Sequence, residues 1–221
     1  MLRFLSVPLI AAMALSARAQ AEAPSLVGTL VSNTYTSPTG AFKMAVPVLP
    51  ELGGVVRDTE TVVTFRDNFG LQITVGAFLQ DATQRWELST RGDKDYLIYF
   101  FGNFVLQDFK EFCSGASIQS AGYSADFLDG ALFTFVLLPG GSMFADHEAF
   151  TPPGAPPPVA KRGNLIFVRN GFTFVISTEL SERVTEGTSY HNTTAEEDSL
   201  LRSRLLDITK KMTFIKPAPP K

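Results

Sequence analysis

The chain has 221 residues, a formal net charge of −3 at pH 7 and a hydrophobic share of 45%. That share is typical of a globular protein, and the mildly acidic balance, with no basic run longer than two residues, argues against a nucleic-acid partner. Cys113 is the only cysteine, which excludes an intramolecular disulfide and a cysteine-based zinc site, and its Phe-rich surroundings predict a small buried residue.

The N-terminus has the three-part layout of a secretory signal peptide. Arg3 is followed by an almost wholly apolar run at residues 4–15 and then by small residues, of which Ala17 and Ala19 form an Ala-x-Ala site. The apolar run has about 12 residues, whereas a membrane-spanning helix needs roughly 20. We therefore expect residues 1–21 to be a cleavable signal peptide, no membrane span after its cleavage, and a periplasmic or secreted location.

Strand signals dominate the first third of the mature chain. Residues 28–35 predict an extended entry strand, and residues 41–46 predict a second strand after a turn that contains proline and glycine. Residues 61–65 and 71–78 are rich in β-branched and aromatic side chains and flank a short polar turn at residues 67–70. This pattern predicts an antiparallel hairpin.

A long helix is predicted at residues 96–113, where apolar residues recur at spacings of three and four and Asp93 precedes them as a capping residue. The first half of this helix is apolar nearly all round. Such a helix is either buried on two sides, so that its aromatic residues all belong to the core, or it offers an exposed face to a partner. In the second case the partner-contact surface consists of Tyr96, Tyr99, Phe100 and Phe104.

Strand signals return at residues 117–127, 131–138, 164–168 and 172–177. Asn170 and Gly171 join the last two runs, and Asn-Gly between apolar runs predicts a type I′ hairpin, because both turn positions need a positive φ. Residues 140–163 contain a run of prolines, which cannot donate to a sheet ladder, and they predict an exposed loop inserted between strands.

The C-terminal helix has a clear start and a clear packing face. Residues 194–197 have the spacing of a capping box, and an apolar stripe follows at Leu201, Leu205, Ile208 and Met212. A short closing strand at residues 212–215 and a disordered tail at residues 217–221 complete the chain. This order of elements predicts a single α+β domain over residues 25–216, with a mostly antiparallel sheet and two main helices packed on it.

Three segments together resemble the Mog1/PsbP-like family. They are YTSPTGAFKMAVP at residues 35–47, the hairpin VVTFRD and LQITV at residues 62–67 and 71–75, and the terminal helix that leads into TFI at residues 213–215. The resemblance implies an α+β fold and a small non-enzymatic binding or assembly protein. The Phe-rich central helix and the proline insertion depart from the family pattern, and no functional residue is carried over.

Signatures of catalysis and of metal binding are weak. Asp146, His147 and Glu148 are metal-ligand types, with His191 or Glu196 as a distant fourth, but adjacent residues on a strand or loop point to different sides. Ser142 and His147 together suggest a serine hydrolase, yet the nucleophile-elbow pattern is absent. The sequence therefore assigns no catalytic, cofactor-binding or metal-binding residue.

Three functions stay open at this point. The first is an exported, non-enzymatic binding or assembly module that contacts an unknown protein partner. The second is a hydrolase with a site near His147. The third is a carrier that holds an apolar small ligand in a pocket between helix and sheet.

Overall fold

A computed structural model describes residues 26–142 and 158–216. The predicted signal peptide, most of the inserted loop and the C-terminal tail lie outside these residues. Within the described ranges the chain forms eleven strands: β1 (Thr29–Val31), β2 (Thr34–Thr36), β3 (Phe42–Ala45), β4 (Val55–Asp58), β5 (Val62–Arg66), β6 (Gln72–Leu79), β7 (Ser117–Ser124), β8 (Ala131–Pro139), β9 (Val159–Arg169), β10 (Phe172–Glu179) and β11 (Met212–Phe214).

The helices fall into a central group and a C-terminal group. They are α1 (Ala82–Arg91), α2 (Asp93–Phe100), a π-helical segment (Phe101–Val105), α3 (Leu106–Phe112), α4 (Glu182–Thr185) and α5 (Thr194–Lys210), with single 3₁₀ turns at Pro50–Leu52 and Gly187–Ser189. Residues 93–112 run as one continuous rod, which we call the helical cover. Across the described residues, no helix combines the length and the apolar character needed to cross a bilayer.

The strands form two antiparallel sheets. The smaller sheet has the order β1-β2-β3-β11, and the larger sheet has the order β4-β5-β6-β10-β9-β8-β7. Every pairing between neighbouring strands is antiparallel. The predicted α+β class with a mostly antiparallel sheet and two main helices is confirmed, although the strands divide between two sheets and α1 adds a third long helix.

Each face of the larger sheet has its own hydrophobic core. One face packs against the smaller sheet and α5, and its centre is the stacked pair Phe167 and Phe174, whose rings lie 5.2 Å apart. The opposite face, which we call the cover face, carries Ile166 and Val175 and packs against the helical cover. Alternation along the strands sends neighbouring side chains to opposite faces, so both cores draw on the same strands.

Two predicted hairpins are confirmed by their turn geometry. Asn170 and Gly171 have φ values of 53° and 81°, as a type I′ turn requires, and Phe172 pairs with Arg169. In the earlier hairpin, Oδ1 of Asp67 accepts hydrogen bonds from the backbone N–H groups of Phe69 and Leu71, at 2.9 and 3.0 Å.

Several predicted boundaries are wrong by a few residues. The entry strand at residues 28–35 is a short hairpin of β1 and β2, because the chain turns at Ser32 with a φ of 54°. Asp93 is the first residue of α2 and not its cap, which is Gly92. The capping box of α5 begins at Thr193, whose hydroxyl accepts from the backbone N–H of Glu196, one residue before the predicted position.

The proline-rich insertion is shorter than predicted. Residues 159–163 belong to β9, and Pro139 at the end of β8 pairs with Val159 at its start. The backbone N–H of Gly140 donates to the carbonyl of Pro158 at 3.0 Å. The insertion therefore leaves and re-enters the sheet at neighbouring points of one hairpin.

Candidate binding cleft

A cleft of about 300 Å³ lies between the helical cover and the cover face of the larger sheet. The helical cover contributes the apolar side chains of Val105, Phe109 and Phe112, and the rim carries Asp108. Strands β5, β6, β9 and β10 form the floor. Ligand sites are concave and mostly apolar with a few polar groups, and this cleft has that composition.

The cleft exists because the helical cover does not span the full width of the sheet. Helix α2 contacts β8 and β9, which leaves β5 and β6 only partly covered. Gly76 on β6 offers no side chain to fill the space, and its cross-strand neighbour on β5 is Val62. A Cβ at position 76 would lie only 2.6 Å from the Phe78 ring, so the ring lies directly over this glycine.

A row of polar side chains crosses the floor of the cleft and continues beneath the helical cover. Cross-strand register places its members side by side in the order Thr64, Thr74, Ser177, Asn164 and Thr134. The Oγ of Ser177 donates to Oδ1 of Asn164 at 2.8 Å, and Nδ2 of Asn164 donates to Oγ1 of Thr134 at 3.3 Å. Buried polar groups are stable when they are hydrogen-bonded, and this part of the row meets that condition.

The row is not satisfied at its cleft end. Thr64, Thr74 and Ser177 line the cleft, whereas Asn164 and Thr134 lie fully beneath the helical cover. The Oγ1 of Thr74 is buried and has no hydrogen-bond partner among the described residues. A buried hydroxyl without a partner costs about 1–3 kcal/mol of desolvation free energy.

A buried ion pair forms one side of the floor. The guanidinium of Arg162 donates to Oε1 of Glu179 at 2.9 Å, and it lies 5.3 Å from the centre of the Phe109 ring. Burial lowers the pKa of Arg162, and the Glu179 carboxylate partly offsets this effect. The pair brings one positive and one negative charge, so its contribution to the net charge of the floor is zero.

Two further titratable groups lie near this pair. Burial, and then the neighbouring charge of Glu111, raises the pKa of the Asp108 carboxyl at the rim. Burial, and then the carboxylate of Glu179, raises the pKa of the Cys113 thiol. Cys113 is half-buried against the core beneath the helical cover, and the raised pKa keeps it in the thiol form, which is the unreactive one.

The predicted partner-contact residues separate into two buried and two accessible ones. Tyr96 and Phe100 are 0% and 3% exposed, and the Tyr96 hydroxyl lies 2.7 Å from Oγ1 of Thr173, so both side chains belong to the core and are not accessible on the surface of this structure. Tyr99 is half-buried, and Phe104 is 43% exposed. These two rings meet edge to face, with centroids 6.1 Å apart, and neither lines the cleft. Their contact with a partner stays a prediction.

The residues considered for metal binding and hydrolysis are mostly outside the described ranges. Asp146, His147 and Glu148 lie between residues 142 and 158. His191 is exposed, and Oγ of Ser142 donates to Oε1 of Gln72 at 3.0 Å. Over residues 26–142 and 158–216 no group of three or more histidine, cysteine, aspartate and glutamate side chains is arranged to hold a metal ion.

The strand residues of the cleft were missed by sequence reasoning. Thr64, Thr74 and Ser177 alternate with core residues such as Val63 and Val75, and alternation of this kind usually means that the polar side chains face water. These three hydroxyl residues share one register on strands that a helix covers. That register can be recognised only when the strand order is known.

No family model and no curated protein matches the chain. Among solved structures, the chain is similar to the Ran-binding protein Mog1p of Saccharomyces cerevisiae, with 11% identity, coverage of 84% of this chain and 96% of that one, and a TM-score of 0.45. It is also similar to cyanobacterial PsbP (CyanoP) of Synechocystis, with 12% identity, coverage of 86% and 99%, and a TM-score of 0.49.

These neighbours bear the names of the family that the sequence motifs resemble. Identities of 11–12% and TM-scores below 0.5 carry no argument about a ligand or a partner. Only the residues of the cleft itself indicate the chemistry of its ligand.

Proposed function

We propose that this protein is an exported, non-enzymatic binding module of the periplasm or the extracellular space, and that it binds a small apolar ligand in the cleft beneath the helical cover. The observation that carries the proposal is the cleft itself. Its volume of about 300 Å³ lies at the lower end of the range for small-molecule sites, and apolar side chains from both helix and sheet line it.

The export part of the proposal rests on the sequence of residues 1–21. A positive residue, a short apolar run and small residues in that order are the features that a secretory pathway recognises. N-terminal sequencing of the protein isolated from its producing cell tests this part. A mature N-terminus between residues 18 and 26 supports export, whereas a chain that still begins at Met1 contradicts it.

The binding part is tested with an uncharged fluorescent probe, 1-N-phenylnaphthylamine, whose emission rises in apolar surroundings. Phe112 lines the cleft and is 73% exposed, so its replacement removes an apolar wall at little cost in packing. Phe104 lies on the same helical cover, is also exposed and does not line the cleft, which makes it the matched control.

We expect the wild-type protein and Phe104→Ser to bind the probe with equal affinity, and Phe112→Ser to bind it about tenfold more weakly, because part of the ligand surface would return to water. Circular dichroism confirms that both variants are folded. Equal binding by both variants would show that the probe does not use the cleft.

A second candidate function has one observation in its favour. Tyr99 and Phe104 form an accessible aromatic pair on the helical cover, and Arg91 lies 4.4 Å from the centre of the Tyr99 ring. Aromatic and arginine side chains are enriched at the centres of protein interfaces. This protein-binding function is tested with Tyr99→Asp, by measuring the Tm and by identifying the proteins that co-purify. A selective loss of one partner at an unchanged Tm supports the interface. A large fall in the Tm with no such loss contradicts it.

A further inference from the structure

The polar row on the floor of the cleft has a direction, and that direction specifies which group can complete it. Nδ2 of Asn164 lies 3.4 Å from the backbone carbonyl of Thr134, which can only accept. The amide nitrogen must therefore face Thr134, and the amide oxygen must face Ser177. The hydroxyl of Ser177 therefore donates its single proton to Asn164, and toward the cleft it can only accept a hydrogen bond.

Thr74 lies directly opposite Ser177 in the sheet register and has the complementary need. Its Oγ1 is buried without a hydrogen-bond partner among the described residues, so its proton is unused. Directly paired residues have Cβ atoms about 4.5–5.5 Å apart, which is close enough for one ligand oxygen to bind both hydroxyls. A group that donates to Ser177 and accepts from Thr74 would complete the row, and a hydroxyl group does both.

The charge of the cleft argues for a neutral ligand. Arg162 is the cation on the floor, and Glu179 already balances it at 2.9 Å, with both side chains buried. A ligand carboxylate would lie near the Asp108 carboxyl at the rim, and Arg162 is already paired with Glu179, so the ligand charge would stay uncompensated in apolar surroundings, where it is strongly disfavoured. A ligand cation would meet the same penalty beside Arg162.

We propose that the ligand of the cleft is an uncharged apolar molecule with one hydroxyl group, an alcohol or a phenol, whose oxygen bridges Thr74 and Ser177 at the end of the polar row. This inference rests on the proposed function, because it names the ligand chemistry of the same cleft. A site that hydrogen-bonds a hydroxyl discriminates strongly against the analogue that lacks it, since its own buried polar groups are then left unpaired.

The test compares four ligands with the same ten-carbon chain as competitors for 1-N-phenylnaphthylamine on the mature protein: 1-decanol, its methyl ether, decane and decanoate at pH 8. We expect decanol to bind about tenfold more tightly than the ether, which cannot donate to Ser177, and more tightly than decanoate. Thr74→Val removes the hydroxyl that donates to the ligand oxygen, with little change in side-chain volume. It also removes an unpartnered hydroxyl, so we expect the variant to fold and the preference for decanol over decane to fall about tenfold.

Thr64→Val is the matched control, because Thr64 lines the cleft in the same row but is not paired with Ser177. It should change the affinities for decanol and decane by the same factor and so leave their ratio unchanged. If the probe binds but decanol and its ether compete equally, the hydroxyl assignment is wrong while the proposed function stands. The same conclusion follows if Thr64→Val, and not Thr74→Val, abolishes the preference for decanol over decane. If decanoate binds best, the neutral-ligand assignment is wrong. If no probe binds to the wild-type protein, the proposed function itself fails.

Discussion

Replacing Arg162 by methionine is predicted to lower the free energy of unfolding by about 3–5 kcal/mol, because it breaks a buried ion pair. Nη1 of Arg162 lies 2.9 Å from Oε1 of Glu179, and the two side chains are only 3% and 1% exposed. Methionine retains much of the length of the arginine stem but carries no charge. The Glu179 carboxylate would then remain in the interior without its counter-charge. Because small domains are stable by only about 5–15 kcal/mol, the loss is a large share of the total.

A double variant separates the charge effect from the packing effect. Arg162→Met combined with Glu179→Gln leaves a neutral pair of similar volume, and we expect it to recover most of the loss, since a buried ion pair and a well-packed neutral substitute are often close in stability. Urea denaturation followed by circular dichroism gives the free energies, with Arg57→Met as an exposed control on the same face of the sheet.

The control should lie within about 0.5 kcal/mol of the wild type. Two results would refute the reasoning: a single variant at Arg162 that is as stable as the wild type within about 1 kcal/mol, or a double variant that is no more stable than the single one.

Three further predictions concern local elements. Thr193→Ala removes the cap of α5 and should lower the free energy of unfolding, measured by urea denaturation, by about 1 kcal/mol. Thr194→Ala, at the position of the cap predicted from sequence, should lower it by less than half of that. The reverse order would contradict the structural assignment. Gly171→Ala places a Cβ on a residue with a φ of 81° and should lower the Tm. Gly122 has open space around it and no positive φ, so Gly122→Ala should leave the Tm nearly unchanged. Equal shifts would argue against the type I′ turn. Because the pKa of Cys113 is raised, its thiol should react with a disulfide reagent more slowly than free cysteine does at pH 8. The reaction rate should increase as the pH rises. A rate equal to that of the urea-unfolded chain would contradict this prediction.

Periodicity predicted most of the regular structure because it reports local packing. The hairpin at Asn170 and Gly171 was predictable, since the turn itself demands residues that tolerate a positive φ. The stripe of Leu201, Leu205 and Ile208 was predictable because it repeats with the helical period, and all three side chains are buried.

The elements that sequence reasoning missed have weak apolar patterns. Helix α1 contains no buried residue, and its one clear signal is Asp81, whose Oδ1 accepts from the backbone N–H of Gln84 at 2.7 Å. Strand β4 is a short edge strand with a charged residue in its middle, Arg57. Neither element contributes enough buried apolar surface to produce a readable period.

The division of the aromatic helix into buried and exposed residues could not be predicted locally. Tyr96 and Phe100 face the sheet, and Phe104 is exposed, yet the sequence around all three is apolar on nearly every side. Which side faces the sheet depends on where the helical cover crosses it, and the π-helical segment at Phe101–Val105 changes the helical phase within the rod.

The cleft is also a non-local property. It arises because helix α2 contacts β8 and β9 while β5 and β6 stay partly open, and no single segment encodes that offset. Gly76, Thr74 and Ser177 acquire their significance only when strand order places them side by side. The sequence therefore predicts the sheet and the helix that form the site, while the site itself requires the tertiary structure.

We propose above that the cleft beneath the helical cover holds a small apolar molecule. Native mass spectrometry of the protein isolated from its producing cell tests this most directly. Val62→Trp is the variant that fills the cleft. Leu79→Trp is the control, because Leu79 lies on the opposite face of the same sheet and is 66% exposed. We expect a small non-covalent adduct on the wild type and on Leu79→Trp, and its loss from Val62→Trp. An adduct that persists equally in the filled variant, or a wild-type protein that carries none, would contradict it.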